Sequence, residues 1–159
     1  MRVAELDKVD LMLLAELQRS GRQTNAELAE RVHLSASACL RRVQRLEREG
    51  VISGYRAEVD AERLGLGLQA FVRVQLKSHD AALVEQFAGL VNLWEEVASC
   101  YALTGEKDYL LHVIVRDLDH FSRFLLDKLL AQAQVDDVNS SFVLRTVKRA
   151  QALPLPPED

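Results

Sequence analysis

The densest group of side chains with binding chemistry is a run of arginines between positions 31 and 48. Five arginines and one acidic residue, Glu47, fall in this stretch. On a helix, which turns by about 100° per residue, Cys39, Val43 and Leu46 share one face and form a buried stripe. The polar side chains on the opposite face and its flanks are Ser37, Arg41, Arg42, Gln44, Arg45 and Arg48. Such a helix packs on one side and offers hydrogen-bond donors on the other.

These residue types are the ones that read DNA. Arginine can donate two hydrogen bonds to guanine, and glutamine can pair with adenine in the major groove. Serine hydroxyls and helix N-termini bind phosphate oxygens. The short polar residues Ser35 and Ser37 come first and the arginines follow, as in a recognition helix whose N-terminal end enters the groove. The pattern therefore predicts a DNA-binding helix, with an ordinary solvated face as the alternative.

The elements that would position this helix favour DNA binding. A first helix is indicated by apolar side chains at helical spacing, namely Val9, Met12, Leu13 and Leu17. Thr24 and Glu27 form a capping box that opens a second helix over 25–32. Ser35 is a good N-cap for the third helix, which is expected to reach Glu49 with Gly50 just after its end. Two short strands over 51–60 are expected to form a wing.

The remaining sequence alternates between strand and helix patterns. The expected elements are a strand over 68–77, a helix over 81–91, strands over 97–104 and 109–115, a helix over 121–130 and a strand over 138–147. This β-α-β-β-α-β order predicts a ferredoxin-like, four-stranded antiparallel sheet with both helices on one face. The fold class is therefore α+β. The expected segments are a winged helix-turn-helix domain over 1–60, a linker over 61–67, a βαββαβ domain over 68–153 and a tail over 154–159.

The open face of such a sheet must be covered, usually by a second copy of the same chain. The sequence therefore predicts at least a homodimer. Phe71, Val74 and Leu76 are the apolar candidates for that surface, although alternation along the strand does not settle which face each side chain takes.

Composition limits the other functions that this chain could have. The net charge is −4, yet residues 1–60 contain ten basic and ten acidic side chains, so the acidic excess lies wholly in the second part. No apolar run is long enough to span a membrane, and no secretory signal precedes the first helix, so a cytoplasmic location is expected. The four histidines lack metal-ligand spacing, and no catalytic motif is present, so neither a metal site nor an enzyme is expected.

Several motifs together resemble the Lrp/AsnC family of feast/famine transcriptional regulators. They are LDKVD at 6–10, NAELA at 25–29, CLRRV at 39–43, LEREGVI at 46–52, TGEKDYLL at 104–111 and SSFV at 140–143. The resemblance covers residues 5–153. Many members have a glycine where His33 stands, prolines at Ala36 and Ala38, and an aromatic residue at Lys107.

The resemblance implies a RAM-type C-terminal domain that binds a small effector, typically an amino acid, between subunits of paired dimers. Tetramers or octamers are then expected, and no cofactor beyond the effector. The glycine-led loop can supply backbone N–H groups for a carboxylate, and Asp108 can hold an ammonium group. Apolar neighbours favour leucine or methionine as the ligand. The expected effector-binding residues are Leu103, Thr104, Gly105, Glu106, Asp108, Leu110, Ser140 and Ser141, with Phe142 nearby.

Two alternatives remain open from the sequence. One is a thiol-responsive repressor that uses Cys39 or Cys100, although both cysteines are expected to be small buried apolar residues. The other is an amino-acid-binding regulatory subunit that has the same βαββαβ domain and does not bind DNA.

Overall fold

The computed structural model describes residues 5–148 and 152–156. The chain divides into two compact units. The first contains the N-terminal residues up to Glu58 together with the C-terminal segment from Lys148, and the second is Val59–Val147. The C-terminal segment therefore belongs to the N-terminal unit. The sequence had placed residues up to 153 in the second domain; of these, 149–151 lie outside the described residues, as does the end of the predicted tail, 157–159.

The N-terminal unit contains the three predicted helices. They are α1 (Lys8–Arg19), α2 (Asn25–Arg31) and α3 (Ala36–Arg48). Thr24 and Glu27 form the predicted capping box, and Asp7 and Asp10 form a second one at the start of α1. The core of this unit consists of the buried side chains Leu13, Leu14, Leu28, Ala29, Val32, Cys39 and Leu46.

The turn between α2 and α3 has an unusual backbone conformation. His33 has a φ of 55°, in the left-handed region that residues other than glycine rarely adopt. The turn is closed by the Leu34 amide, which donates to the Ala29 carbonyl at 2.9 Å. His33 therefore occupies a position that favours glycine, in agreement with the glycine that many members of the resembled family have there.

The two predicted wing strands are absent from the structure. Residues 51–60 contain no strand. The Val51 and Ile52 amides instead donate to the Leu46 carbonyl at 2.9 and 3.1 Å, just after Gly50 turns the chain with a φ of 73°. The apolar pair that resembled the start of a strand therefore closes the C-terminal end of α3.

The second unit has the predicted βαββαβ order. Its elements are β1 (Leu68–Leu76), α4 (Ala81–Val91), β2 (Val97–Ala102), β3 (Tyr109–Val115), α5 (Leu118–Arg123), a π-helical continuation of α5 (Phe124–Leu129) and β4 (Val135–Phe142). A 3₁₀ turn, Glu62–Leu64, precedes β1. The sheet order is β2-β3-β1-β4, with antiparallel pairs throughout. The fourth strand was predicted over 138–147, too far toward the C-terminus: residues 143–147 lie outside β4, and 135–137 belong to it.

The helices cover one face of the sheet. Phe87 of α4 and Phe124 of the π-helical continuation pack on the even-numbered side chains of β1. Val74 and Leu76, two of the three candidates for the open face, belong to that buried face instead. Phe71 lies on the open face and is 38% exposed. The sequence showed that side chains of β1 alternate between two faces of the sheet. It did not show which of the two faces the helices cover, so the buried set could not be predicted.

The two cysteines differ in their exposure. Cys39 is buried, as expected, but Cys100 is exposed, because it lies on the edge strand β2. Throughout residues 5–148 and 152–156, no helix is long and apolar enough to cross a membrane.

Candidate DNA-binding and effector-binding sites

The outer face of α3 carries the predicted recognition residues. Cys39 and Leu46 are fully buried. Ser37, Arg41, Gln44 and Arg48 are all exposed on the opposite face. The helix therefore has the orientation that the sequence indicates, with its polar residues turned away from the core.

The N-terminal end of α3 is held in place by short polar side chains. Ser35 caps the helix by accepting a hydrogen bond from the Ala38 amide at 3.3 Å, and its hydroxyl lies 3.3 Å from that of Ser37. Asn25 of α2 donates from Nδ2 to the Ala36 carbonyl at 2.7 Å. The start of α3 is thus fixed to α2, which pre-organises the end that would enter a groove.

Arg42 and Arg45 occupy one flank of α3 and are already paired. Arg42 donates to Asp10 at 2.9 Å and to Asp7 at 2.7 Å, and Arg45 donates to the other oxygen of Asp10. Hydrogen bonds from the Asp10 amide and from Arg42 hold the pKa of Asp7 below its ordinary value. The local sequence pattern missed Asp7 and Asp10, since no short-range signal connects α1 with α3.

The other flank of α3 is tied to the segment that follows it. The Tyr55 hydroxyl donates to Glu47 Oε1 at 2.9 Å. Burial, together with the carboxylate of Glu47, raises the pKa of Tyr55 to about 12. The side chains on the two flanks therefore engage other parts of the N-terminal unit. Between them, Arg41, Gln44 and Arg48 have no side-chain hydrogen bond or ion pair to any residue that the structure describes.

The loop between β2 and β3 contains four consecutive unpaired amides. Leu103 and Asp108 close the loop, since the Leu103 amide donates to the Asp108 carbonyl at 2.8 Å. Gly105 has a φ of 117°. In the part of the chain that the structure describes, the N–H groups of 104–107 have no hydrogen-bond partner. Successive free N–H groups in a turn are the usual binding groups for an anion.

The carboxylate of Asp108 already has two partners. Its Oδ2 accepts from the Leu76 amide at 2.7 Å, and its Oδ1 lies 2.6 Å from Nε2 of His79, which is 76% exposed. Burial alone would raise the pKa of Asp108, but the Leu76 and His79 hydrogen bonds outweigh it and lower the pKa. A ligand ammonium group would therefore share Oδ1 with His79 or displace its ring.

Lys107 links the loop to the neighbouring strands. Its Nζ lies 2.9 Å from Gln75 Oε1 and 2.5 Å from Asp137 Oδ2. The hydrogen bond from Lys107 lowers the pKa of Asp137. Gln75, His79 and Asp137 were not among the residues that the sequence predicted for this site. The polar group at this end of the sheet is larger than the predicted set.

The structure does not bring all predicted effector residues together. Ser140 and Ser141 point to opposite faces of the sheet, since they pair with Val72 and Phe71 respectively. Ser140 also lies three residues beyond Asp137 on β4, about 10 Å along the strand. The other predicted residues lie in or beside the loop: Leu103, Thr104, Gly105 and Glu106 are exposed, and Leu110 on β3 is half-buried.

Cysteine and metal chemistry receive little support. Burial raises the pKa of Cys39, and partial enclosure of the thiol raises that of Cys100 even though the residue as a whole is exposed. A raised pKa lowers the fraction of reactive thiolate at neutral pH. Over residues 5–148 and 152–156, no group of three or more His, Cys, Asp or Glu side chains could hold a metal ion.

Both halves of the chain match models of known protein families. Residues 6–53 match the winged helix-turn-helix DNA-binding model, and residues 69–153 match the Lrp/AsnC ligand binding domain. The two matches agree with the expected domains: a helix-turn-helix in the N-terminal half and a ligand-binding βαββαβ domain in the C-terminal half. The match in the N-terminal half argues against a regulatory subunit that does not bind DNA.

Curated relatives and solved structures agree with these matches. The leucine-responsive regulatory protein of Rhizobium meliloti is 44% identical over 92% of this chain and 94% of its own length. The Bkd operon transcriptional regulator of Pseudomonas aeruginosa is 39% identical over 96% of this chain and 100% of its own. A transcriptional regulator from Neisseria meningitidis, solved in complex with L-Met, is 49% identical with a TM-score of 0.91, covering 94% of this chain and 97% of that one.

These relatives are transcriptional regulators, which confirms the expectation that the chain is not an enzyme. Its resemblance to the feast/famine regulators is likewise confirmed over both units. The chain belongs to the Lrp/AsnC family of DNA-binding transcriptional regulators.

Proposed function

We propose that a small amino acid with an apolar side chain, methionine or leucine, binds at the loop between β2 and β3 and modulates DNA binding or assembly. The observation that carries this proposal is the run of four free N–H groups at 104–107 beside the carboxylate of Asp108. The related regulator from Neisseria meningitidis was solved with L-Met, and the Rhizobium meliloti relative is named as leucine-responsive.

The two charged groups of an amino acid match the two kinds of partner at this loop. The ligand carboxylate would accept from the free amides around Gly105, and its ammonium group would bind Oδ1 of Asp108. An aliphatic or thioether side chain would pack against Leu103 and Leu110, with Thr104 and Glu106 at the rim. Ser140 faces the helices, and Ser141, although it is on the same face of the sheet as Leu110, lies one residue further along β4 from the loop, so both serines are left out of the site.

DNA is contacted, on this proposal, through the outer face of α3. Arg41, Gln44 and Arg48 would reach base edges, while Ser35 and Ser37 at the N-terminal end would bind phosphate. Arg42 and Arg45 stand at the border of this surface, where their paired guanidinium groups can still approach the phosphate backbone.

The assembly is proposed to be a homodimer formed through the open face of the sheet, with tetramers or octamers built from it. Phe71, Tyr101, Leu110 and Ile114 supply apolar surface on that face, because the strand registers place all four side chains on the same side of the sheet. A bare sheet face of this kind is usually buried against another element.

The experiment is a thermal-shift screen of the twenty amino acids. A ligand at about 100 times its Kd adds about 2.7 kcal/mol to the free energy of unfolding, which raises the Tm by several degrees. We expect methionine or leucine to raise the Tm. Asp108→Ala should lose this shift, whereas the control Asp127→Ala, an exposed acid of the same unit, should keep it.

Two results would contradict the proposal in different ways. A shift with aspartate or lysine but with no neutral amino acid would show that the ligand class is wrong. A shift of wild-type size in Asp108→Ala would show that the site lies elsewhere.

A further inference from the structure

We infer that Asp10 is a positioning residue for DNA recognition, because its single buried carboxylate holds two arginines on adjacent turns of α3 and so fixes the direction in which the outer face of that helix points. Asp10 lies on α1 and outside the proposed DNA-contacting set. The inference rests on that proposed set, so the experiment includes a separate test of Arg41.

The carboxylate of Asp10 is buried and fully used. Its side chain is 1% exposed. Among the described residues, Asp10 and Gln134 are the two polar residues that are buried. Oδ1 accepts from Arg42 at 2.9 Å, and Oδ2 accepts from Arg45 and from the Asp7 amide, the latter at 3.1 Å. Burying a carboxylate is costly unless such partners satisfy it, so these bonds are strongly coupled to the folded arrangement.

The arrangement restrains the rotation of α3. Apolar packing through Cys39 and Leu46 is not directional, and it tolerates small rotations of a helix against its neighbour. Charge-assisted hydrogen bonds are directional, and here one carboxylate receives them from Arg42 and Arg45, three residues apart on one flank. A rotation of α3 would break at least one of the two, so the bonds select the orientation in which Arg41 and Arg48 face outward.

The same contacts divide the arginines into two classes. Arg42 and Arg45 are paired with Asp7 and Asp10, and Arg31 is paired with Glu16 at 3.1 Å. Among the residues that the structure describes, Arg41 and Arg48 have no ion pair. Each basic side chain that neutralises a phosphate adds about one unit to the salt dependence of binding. The free pair should therefore contribute more of this dependence than the paired ones.

A change of charge at Asp10 separates positioning from simple electrostatics. Asp10→Asn removes a negative charge near the proposed DNA surface, so electrostatics alone predicts tighter binding to every DNA sequence. Loss of positioning instead predicts weaker binding to the specific site while binding to random DNA stays the same or increases. The ratio of specific to random affinity is therefore the informative quantity.

The measurement is that ratio, by fluorescence anisotropy over a series of salt concentrations. The specific DNA is a genomic fragment selected with the wild-type protein, and the random DNA has the same length. We expect Asp10→Asn to lower the ratio at least tenfold. The control Glu47→Gln removes one charge from α3 itself and retains an acceptor for Tyr55, so it should leave the ratio unchanged.

A second variant covers the case in which Asp10→Asn does not fold. Arg42→Lys keeps the net charge, but the lysine side chain ends one bond short of Nη1, the atom that donates to both Asp7 and Asp10, so we expect a several-fold lower ratio with an unchanged salt slope. Ratios within twofold of wild type in every folded variant of Asp10 or Arg42 would overturn the inference. A wild-type ratio in Arg41→Ala would instead overturn the proposed DNA-facing set, and the two failures are thus distinguishable.

Discussion

The side-chain amide of Gln18 pairs in both directions with the backbone of Leu153. The Leu153 amide donates to Gln18 Oε1 at 2.6 Å, and Gln18 Nε2 donates to the Leu153 carbonyl at 3.3 Å. Two residues later, Leu155 is half-buried against the core of the N-terminal unit. A segment that follows the last strand of the βαββαβ unit in sequence is therefore attached to α1, the helix that carries Asp10.

This attachment predicts that the tail stabilises the N-terminal unit. Leu155→Ala removes a partly buried side chain and should cost about 1–2 kcal/mol of unfolding free energy. The measurement is hydrogen exchange at the amides of α1, which should become faster. Leu153→Ala is the matched control, because that side chain is 75% exposed and its backbone bonds to Gln18 remain. Equal exchange in the two variants would contradict the role of Leu155.

Arg41 is expected to contribute directly to DNA affinity. It is exposed on the outer face of α3 and unpaired within the described residues, so Arg41→Ala should weaken binding to a specific fragment by about 1–3 kcal/mol. Arg63→Ala is a suitable control, since Arg63 is an exposed arginine of the 3₁₀ turn before β1. The proposed contact would be refuted by equal affinities of both variants in a gel-shift titration.

Phe71 is expected to lie in the dimer interface. Its ring stacks on His112 at a centroid distance of 4.8 Å and remains 38% exposed on the open face of the sheet. Phe71→Asp would place a charge where a second copy should cover the sheet, so this variant should be a monomer. Light scattering at micromolar concentration should then give 17.9 kDa for the variant and at least twice that for wild type. A wild-type monomer would contradict the expected dimer.

Asp108 should contribute to stability at neutral pH and lose that contribution in acid. The pKa of Asp108 is lower in the folded chain than its ordinary value of 3.8. The ionised carboxylate therefore contributes its full stabilisation above pH 3.8 and loses it as the pH falls through the lowered pKa of the folded state. Asp108→Ala also leaves the Leu76 amide unpaired and should cost about 1–3 kcal/mol at pH 7. Urea unfolding at pH 7 and pH 3 measures the difference, and an equal cost at both pH values would contradict the ionised role.

Local periodicity predicted the helices and the orientation of the recognition helix. Because helical spacing separates Cys39 and Leu46 from Arg41 and Arg48, the sequence alone distinguishes the buried face of α3 from the exposed one. The order of the βαββαβ elements was equally evident, since the apolar pattern changes period at each boundary.

Pairings between distant residues could not be predicted in this way. Arg45 and Asp10 are 35 residues apart, and Lys107 and Asp137 are 30 apart, so no local pattern marks them as partners. The prediction of wing strands was wrong for a related reason. Val51 and Ile52 are residue types typical of a strand, but their amides donate to the Leu46 carbonyl at the end of α3. The free amides around Gly105 were foreseen because a glycine-led hairpin loop leaves N–H groups unpaired.

The most direct test of the account is a titration of DNA binding with and without amino acid. A selected genomic fragment is titrated with wild type and with Asp108→Ala at fixed salt, in the presence of saturating L-methionine or L-leucine, and then without either. We predict that one of these ligands moves the binding midpoint of wild type at least threefold and leaves that of Asp108→Ala unchanged. Superimposable wild-type curves under all three conditions would contradict an effector-modulated regulator of this specificity.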